Sequence, residues 1–538
     1  MQRFGNSIAL RTGGAGRDAT WAMLGLFGIL FVLSLRPITD PDIWFYLVQG
    51  REIVTSGMLP ATEFYIFPAE GEPATYSAIG FGIFYYLIHQ YGGLPAMAAA
   101  NALMAAASIS LLMLAARRSG PGLNCVESCV IVALLVYLLA EFRFVYRPEN
   151  LLFVFLGAEL VILESWLQDR RSLRLIALIP LVGILSFFHT SAVLLFVVFG
   201  CYVVQYGWEL VRNRQKNMLR EAFAVAGILT LLILAALLNP NGWEQLLVIL
   251  RSLIAFNSDL VEYLPALETE YRWNFLIAGF LALLALLFAP RRRPVDWLVV
   301  AAFGGVAWIY ARNIGLFAVM IAVPLTRTLV HLANRSVKPI NPRWLSLFAL
   351  GLMIFASIWT FRGNRWGTGI AADTVFSNSV VMIRQASESG NVMNFFHHGG
   401  YLAWELGSGH KVAVDGHFVR DSFALEYHDR VMRADLDWKS LVFRYDVKFI
   451  LTPATLPYSG AFVPLVTVLA GDPEWELVNI ESAGLMFARA DVAKKWPPVD
   501  KAEIWKQAVR EVTLLLEAYP DNKVARATRD QAERMAAR

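Results

Sequence analysis

Charge is scarce in this chain. Only 17% of its 538 residues are Asp, Glu, Lys or Arg, while 57% are hydrophobic and 13% aromatic. Soluble domains carry about 25% charged and 45–50% apolar residues, so the shortage excludes a soluble multidomain enzyme. Cysteine is scarcer still: Cys125, Cys129 and Cys201 are the only three. All fall in apolar runs and none in the C-terminal tail, which excludes a disulfide framework and a cysteine zinc site there. Cys125 and Cys129 stand at i, i+4 and read as helix packing. After Arg362 no apolar run approaches the ~20 residues a bilayer crossing needs, so the tail is expected to be soluble. Net charge is only +4, and the basic residues sit beside apolar runs, where they read as topology signals rather than as a nucleic-acid surface.

What the chain does have is a series of long apolar runs from Trp21 to Phe361. Arg3, Arg11 and Arg17 precede the first, and no small-residue cleavage site follows before Arg36-Pro37, so that helix is expected to stay uncleaved. Later basic clusters are Arg117-Arg118; Arg170, Arg171 and Arg174; Arg212, Arg214, Lys216 and Arg220; Arg291 to Arg293; and Arg335, Lys338 and Arg343. If all lie in the cytoplasm with the N-terminus, an even number of crossings separates each neighbouring pair. Parity then requires Ile79 to Tyr91, rich in Tyr and Phe, to lie at the outer membrane face rather than cross. The expected architecture is a polytopic α-helical membrane domain over 1–362 with about eleven crossings and a first outer loop over 37–94. An outer α/β domain follows over 363–498, and a helical hairpin over 499–538 resembles a single tetratricopeptide-like unit. Within the tail, strands are expected at Asn391 to Phe395, Lys411 to Val414, Val447 to Leu451, Trp475 to Ile480 and Ala483 to Ala488. Helices are expected at Asp373 to Ser387, Ala424 to Ala434 and Trp438 to Tyr445.

With that topology the polar residues among the apolar runs gather at outer helix ends: Asp40, Asp42, Arg147, Glu149, Asn150, His189, Asn239, Asn241, Arg312 and Asn313. Ionisable groups near membrane depth are costly and mark function. Nothing comparable is expected at mid-bilayer, where a transporter places its polar groups. Each residue also has a structural reading. Asp40 suits a helix N-cap before Pro41, Asp42 complements a helix dipole, and Arg147 and Arg312 suit interfacial snorkelling. His189 suits a tight turn, as does Asn239-Pro240-Asn241-Gly242. In the tail, His397-His398-Gly399-Gly400-Tyr401 and Asp415-Gly416-His417 invite a zinc reading but lack diagnostic spacing. The paired glycines are read instead as a loop approaching a ligand or the membrane domain.

The order of these pieces resembles the GT-C superfamily of polytopic glycosyltransferases, oligosaccharyltransferases and protein mannosyltransferases among them. Asp42-Ile43-Trp44-Phe45-Tyr46, running to Gly57, is similar to the oligosaccharyltransferase pattern Asp-Pro-Trp-Phe-Asn-Tyr running to a Gly. The resemblance implies a catalytic or metal-binding aspartate at Asp42, with Asp40 as the fallback. Arg147-Pro148-Glu149-Asn150 lies where that family has a second acidic motif, which implies a catalytic or metal-binding role for Glu149. Ala311-Arg312-Asn313 resembles the segment whose arginine grips the donor phosphate, with Arg147 and His189 as further phosphate-binding candidates. Asn394 to Leu402 and Lys411 to Asp415 look like a degenerate counterpart of the Trp-Trp-Asp-Tyr-Gly acceptor motif, implying acceptor or loop contacts for His398, Gly399, Gly400, Tyr401 and Asp415. No Trp-Trp-Asp is present, so recognition of an Asn-X-Ser/Thr peptide does not carry over. The set is also similar to bacterial GT-C-like membrane proteins with Asp-Pro-Asp-Leu-Trp, Asn-Pro-x-Gly and Gly-Gly-Tyr-Leu motifs.

The resemblance implies a glycosyltransferase of the bacterial inner membrane, N-terminus cytoplasmic and tail periplasmic. It would take a sugar from a polyprenyl-phosphate or -pyrophosphate donor to a protein, lipid or glycan acceptor among the membrane lipids, with a divalent cation (Mg or Mn) at Asp42 and Glu149 and no nucleic-acid partner. The alternatives are a non-catalytic scaffold recruiting partners through the outer domain, and a lipid or polysaccharide transporter.

Overall fold

A computed structural model describes residues 5–74, 76, 78–120, 124–214, 218–243, 263–335, 340–362, 365–386, 388–417 and 423–537. Arg3, Lys216 and Lys338 of the expected basic clusters, and Leu123 and Ser387 at the ends of expected helices, lie outside them. The chain divides into two compact units, one of 1–37 with 92–369 and the other of 38–91 with 370–538. This differs from the expected partition at 362 and 499. The first outer loop belongs with the tail, and the C-terminal hairpin is built into the tail's own core.

Six described helices are long and apolar enough to cross a membrane: Ile79–Ser119, whose first part belongs to the second unit, and Cys125–Arg143, Pro148–Asp169, Thr190–Arg212, Leu219–Ala236 and Pro342–Phe361 of the first. A seventh span is available if Ala311–Met320 and Ala322–Arg335, bent by 44°, count as one. Ala19–Leu33, Ser172–Phe188, Arg272–Leu287 and Pro294–Ile309 are shorter apolar helices. Each of the eleven expected runs therefore falls on an apolar helix, and length and composition qualify six or seven of them to cross. Pro324 accounts for the bend, because it has no N–H for the carbonyl of Met320 four residues before. Gly93, at φ 63° and ψ −160°, breaks Ile79–Ser119 between the segment expected at the interface and the one expected to cross.

Helix Cys125–Ala140 is buried nearly all round, with Cys129, Val132, Ala133 and Tyr137 fully enclosed, the pattern of a helix at the centre of a bundle. Its neighbours include Gly5–Leu33, Ile314–Met320, Ala322–Arg335 and Pro342–Phe361. Leu347, Phe348, Phe355 and Ile358 of that last helix point outward, exposed, a large apolar surface that a lipid environment would cover. The interior is not free of ionisable groups, which corrects the expectation of a non-polar midsection. Glu159 lies buried midway along Pro148–Asp169. Nearer the helix ends marked by basic clusters, Glu164 takes the Tyr202 hydroxyl at 2.7 Å and pairs with Arg293 at 3.0 Å, while Asp296 pairs with Arg327. Single acidic residues inside apolar runs leave periodicity unchanged, so hydropathy passes over them.

The second unit holds a four-stranded sheet of β1 (Asn391–Asn394), β2 (Val447–Thr452), β3 (Trp475–Glu481) and β4 (Gly484–Arg489), in the order β1-β2-β4-β3. β1 and β2 are parallel, and the other neighbours antiparallel. The central β2 is apolar almost throughout, as a strand covered on both faces should be. Expected strand Lys411 to Val414 is not a ladder strand: Val412 bridges Val392 and Ile66 singly, tying the first loop to the sheet. Helices Ala502–Ala518 and Lys523–Ala536 put Ile504, Trp505, Ala508 and Ala532 into the same core as Trp475, Leu485 and Phe487. Glu511 reinforces this by accepting the N–H groups of Ala454 at 3.1 Å and Thr455 at 2.7 Å.

Gly399-Gly400 open helix Gly399–Leu406 rather than a loop. A Cβ on Gly399 would sit 1.8 Å from the Val414 carbonyl oxygen, and one on Gly400 2.8 Å from the Phe45 nitrogen. The glycines therefore serve close packing against the 411–414 segment and helix Asp42–Ser56. Arg51 of that helix caps the other, donating to the carbonyls of Trp404 at 2.8 Å and Ala403 at 3.2 Å. On its other side, Gly50 and Gly82 bring helix Asp42–Ser56 against the 79–91 segment, where a Cβ on Gly50 would lie 2.2 Å from the Gly82 oxygen.

Candidate functional site

In the first unit, helix ends carry a cluster of charge. Pro148 occupies the first turn of Pro148–Asp169 and forces Arg147 into an extended conformation, with Glu149 next at the positive end of the helix. Short 3-10 turns supply the partners: Arg143 from Glu141–Arg143 and Arg312 from Ala311–Asn313. Arg312 donates to Glu149 Oε1 at 2.5 Å and Arg143 to the same oxygen at 3.2 Å. Their side chains are 25% and 8% exposed, and that of Glu149 is 14% exposed. The Tyr263 hydroxyl accepts a further hydrogen bond from Arg312, whose guanidinium lies 5.0 Å from the Tyr263 ring centre. Gly315 makes the room: a Cβ there would meet Arg143 Cγ at 2.8 Å. His189 Nδ1 accepts the Ser191 N–H at 3.2 Å and faces the Ser191 hydroxyl at 2.6 Å, which in the neutral ring leaves the proton on Nε2.

Of the expected candidates, Arg312 and Glu149 meet directly, and Arg147 stands two residues before Glu149. Among the described residues, two arginines meet on this one carboxylate in a largely buried setting. Arginine forks match phosphate oxygens, so guanidinium groups gathered in this way have the chemistry to hold a phosphate. Arg143 and Tyr263 were not among the expected residues. Arg143 was legible as an ionisable residue within an apolar run, whereas Tyr263 reaches the cluster only through the fold.

In the second unit, Asp42 begins helix Asp42–Ser56, and its N–H donates to Asp40 Oδ1 at 3.0 Å, the capping expected of Asp40 displaced by one residue. The turn Asp415-Gly416-His417 lies against the Asp42 side chain: a Cβ on Gly416 would be 2.5 Å from Asp42 Oδ1. Asp415 Oδ2 accepts the Tyr65 hydroxyl at 2.7 Å, and Asp415 Oδ1 faces His417 Nδ1 at 2.5 Å. His417 Nε2 faces Glu63 Oε2 at 3.2 Å. Burial would lower the His417 pKa, but Asp415 and Glu63 outweigh it and push it up to about 10. Burial, then the Asp415 charge, raises Tyr65 well above its usual value.

The remaining tail candidates are packing groups. Tyr401 meets Trp44 edge-on at 5.1 Å. His398, 8% exposed, packs on Phe376 at 4.8 Å, and burial followed by the His397 charge lowers its pKa to about 3. Asp415 is 1% exposed, so it faces Tyr65 and His417 rather than an acceptor. Glu63, Tyr65 and His417 were missing from the expected site. Only Asp415-Gly416-His417 carried a signal, a zinc reading set aside because its spacing is not diagnostic.

The cation expected at Asp42 and Glu149 does not fit the residues. Among the described residues no group of three His, Cys, Asp or Glu side chains forms a metal-ligand set. Glu149 Oε1 is already taken by two guanidinium groups, and a hard cation needs about six oxygens. No step below is routed through a metal.

No protein-family model matches this sequence, and no curated protein matches it. Solved structures do. An archaeal oligosaccharyltransferase, AglB of Archaeoglobus fulgidus, in complex with an inhibitory peptide and a dolichol-phosphate, matches at TM-score 0.58 and 12% identity, over 88% of this chain and 74% of that one. ArnT of Cupriavidus metallidurans matches in the apo state at TM-score 0.56 and 13% identity, over 90% of this chain and 100% of that one. Its form bound to undecaprenyl phosphate matches at 0.51 and 13%, over 89% and 99%. The chain shares the fold of these GT-C glycosyltransferases.

Proposed function

We propose that the chain, with the fold of the GT-C glycosyltransferases, moves a sugar from a polyprenyl-phosphate or -pyrophosphate donor to a protein, lipid or glycan acceptor. In this reading it is a multi-pass protein of the bacterial inner membrane, with its N-terminus cytoplasmic and the second unit periplasmic. The observation that carries the proposal is the fold shared with ArnT, solved with undecaprenyl phosphate bound, and it is supported by the two guanidinium groups gathered at Glu149, whose donors match phosphate oxygens.

The chemistry assigned to the residues follows from charge flow. The bond between the sugar's anomeric carbon and the phosphate oxygen breaks, and its electron pair goes to the phosphate. Arg312 and Arg143, with Arg147, stabilise that charge as it develops. The acceptor's oxygen or nitrogen bonds to the anomeric carbon, and its proton passes to Asp42 as general base. Glu149 is then a positioning residue that fixes both guanidinium groups through one oxygen. His189 Nε2–H is a neutral donor to the same phosphate.

The test is binding of undecaprenyl phosphate to the protein in nanodiscs. Arg312→Ala should weaken it by about 10–100-fold, the loss of one or two charge-assisted hydrogen bonds at roughly 1.5–3 kcal/mol, while the melting temperature stays close to that of the wild type. No binding by the wild type, or unchanged binding by the variant, would refute the proposal.

A further inference from the structure

The second unit contains a buried acid–imidazole–acid bridge to which the transfer chemistry above assigns no step. Glu63, Asp415 and His417 have side chains only 5%, 1% and 4% exposed. Glu63 Oε1 accepts three successive backbone N–H groups, from Phe64 at 2.9 Å, Tyr65 at 3.1 Å and Ile66 at 3.2 Å. Its other oxygen faces His417 Nε2. Asp415 Oδ1 faces Nδ1 of the same ring and accepts the His417 backbone N–H at 3.1 Å. Each ring nitrogen thus meets a carboxylate. Only the doubly protonated imidazolium donates from both nitrogens, so the ring clamps the loop at 63–66 to the turn at 415–417. Backbone pairing of Phe67 with Val412 and of Val412 with Tyr65, each at 3.0 Å, runs alongside.

The turn is also the surface against which Asp42 rests. Gly416 leaves no side chain between the turn and Asp42 Oδ1. The Phe45 ring, one turn along the same helix, lies 5.8 Å from the His417 ring. Loss of one imidazole contact would leave a buried carboxylate without its partner, a situation that moves structure rather than persisting. The turn would then shift away from the loop, and the surface behind Asp42 with it.

We propose that His417 is a positioning residue for Asp42, holding the Asp415–His417 turn in place by bridging Glu63 and Asp415. The proposal rests on the reading of Asp42 as the general base. Misplacement of a reacting group by about 1 Å costs on the order of 10²-fold in rate, which sets the expected size of the effect.

The test compares wild type, His417→Gln and His417→Arg, all full-length in nanodiscs. Gln keeps a donor without the charge, and Arg keeps a cation with donors on two sides. Turnover is measured with the donor that the wild type accepts from a panel of polyprenyl-phosphate hexoses. His417→Gln should lower kcat by about 10²-fold, with donor KM within twofold, and His417→Arg should recover most of it. Unchanged kcat in His417→Gln, or a loss accompanied by an equal rise in KM, overturns the proposal. Amide hydrogen exchange supplies a readout independent of transfer. Protection in His417→Gln should fall together over 62–67, 411–417 and the first turn of helix Asp42–Ser56; a fall confined to 411–417 overturns it. Should the wild type transfer no sugar, the functional reading fails, and the exchange result still decides the role of His417.

Discussion

Replacing Gly416 by Ala separates the position of Asp42 from its identity. The new Cβ would stand 2.5 Å from Asp42 Oδ1 and 3.4 Å from Phe45 Cε1. An ordinary carbon–oxygen contact is about 3.3–3.6 Å, so the ring contact is acceptable and the carboxylate must retreat by roughly 0.8–1 Å. Gly416 is not among the glycines of left-handed backbone, so alanine adds no backbone strain. A carboxylate on two side-chain torsions yields more easily than a backbone. The stability cost should therefore be about 1 kcal/mol, the low end for overpacking, a fall of about 2–4 °C in melting temperature for a unit of this size. Catalysis should suffer more. A displacement near 1 Å is expected to cost on the order of 10² in kcat, about 2.7 kcal/mol of barrier, while undecaprenyl phosphate binding is unaffected. The assay is steady-state transfer from a labelled polyprenyl-phosphate sugar beside a thermal melt. Turnover within threefold of wild type would refute the claim that Asp42's position matters, and a fall above 10 °C would trace the loss to packing.

Asp42→Asn keeps the shape and the backbone capping by Asp40 but removes the base, so transfer should fall by about 10²–10⁴-fold with the melting temperature nearly unchanged; normal transfer would exclude Asp42 as the base. Stability should also respond to pH through two histidines. His417 is pushed up to about 10 in the folded chain, above its unfolded value of about 6.5. Its contribution is therefore fully present below about pH 6.5 and lost as pH rises through 10. A melt series from pH 7 to 10 should decline in wild type and be flatter in His417→Gln; parallel curves would refute the bridged imidazolium. His398 is shifted the other way, to about 3, so protonation of the unfolded chain below about pH 6.5 opposes folding. A melting temperature that stays constant from pH 7 down to pH 5 in wild type would contradict its burial as a neutral ring.

Much of the architecture was legible because it depends on local pattern. The apolar runs became apolar helices, β1 to β4 fell close to four of the expected strands, and Gly93 marks the division between 79–91 and 94–116. Lys411 to Val414 misled because a short run such as Val412-Ala413-Val414 beside a sheet looks the same whether it forms a ladder or a single bridge. Gly399-Gly400 misled because glycine signals close approach without saying whether a loop or a helix makes it. Arg147, Glu149, His189 and Arg312 were legible as polar residues at apolar helix ends, where leaving a charge without a role is costly.

The sequence by itself determined where charge is scarce, and so that this chain is a series of apolar helices followed by an α/β segment. Those properties follow from one-dimensional patterns of hydropathy and turn chemistry. The tertiary structure decided which charges meet. Arg143 and Arg312 converge on one oxygen of Glu149, Glu63 and Asp415 grip His417 from two sides, and the loop at 38–91 joins the tail rather than the bundle. Residues 63 and 417 are far apart along the chain, and no local rule couples them. Their pairing follows from burial, because a carboxylate or an imidazolium removed from water persists only where the fold supplies its opposite charge.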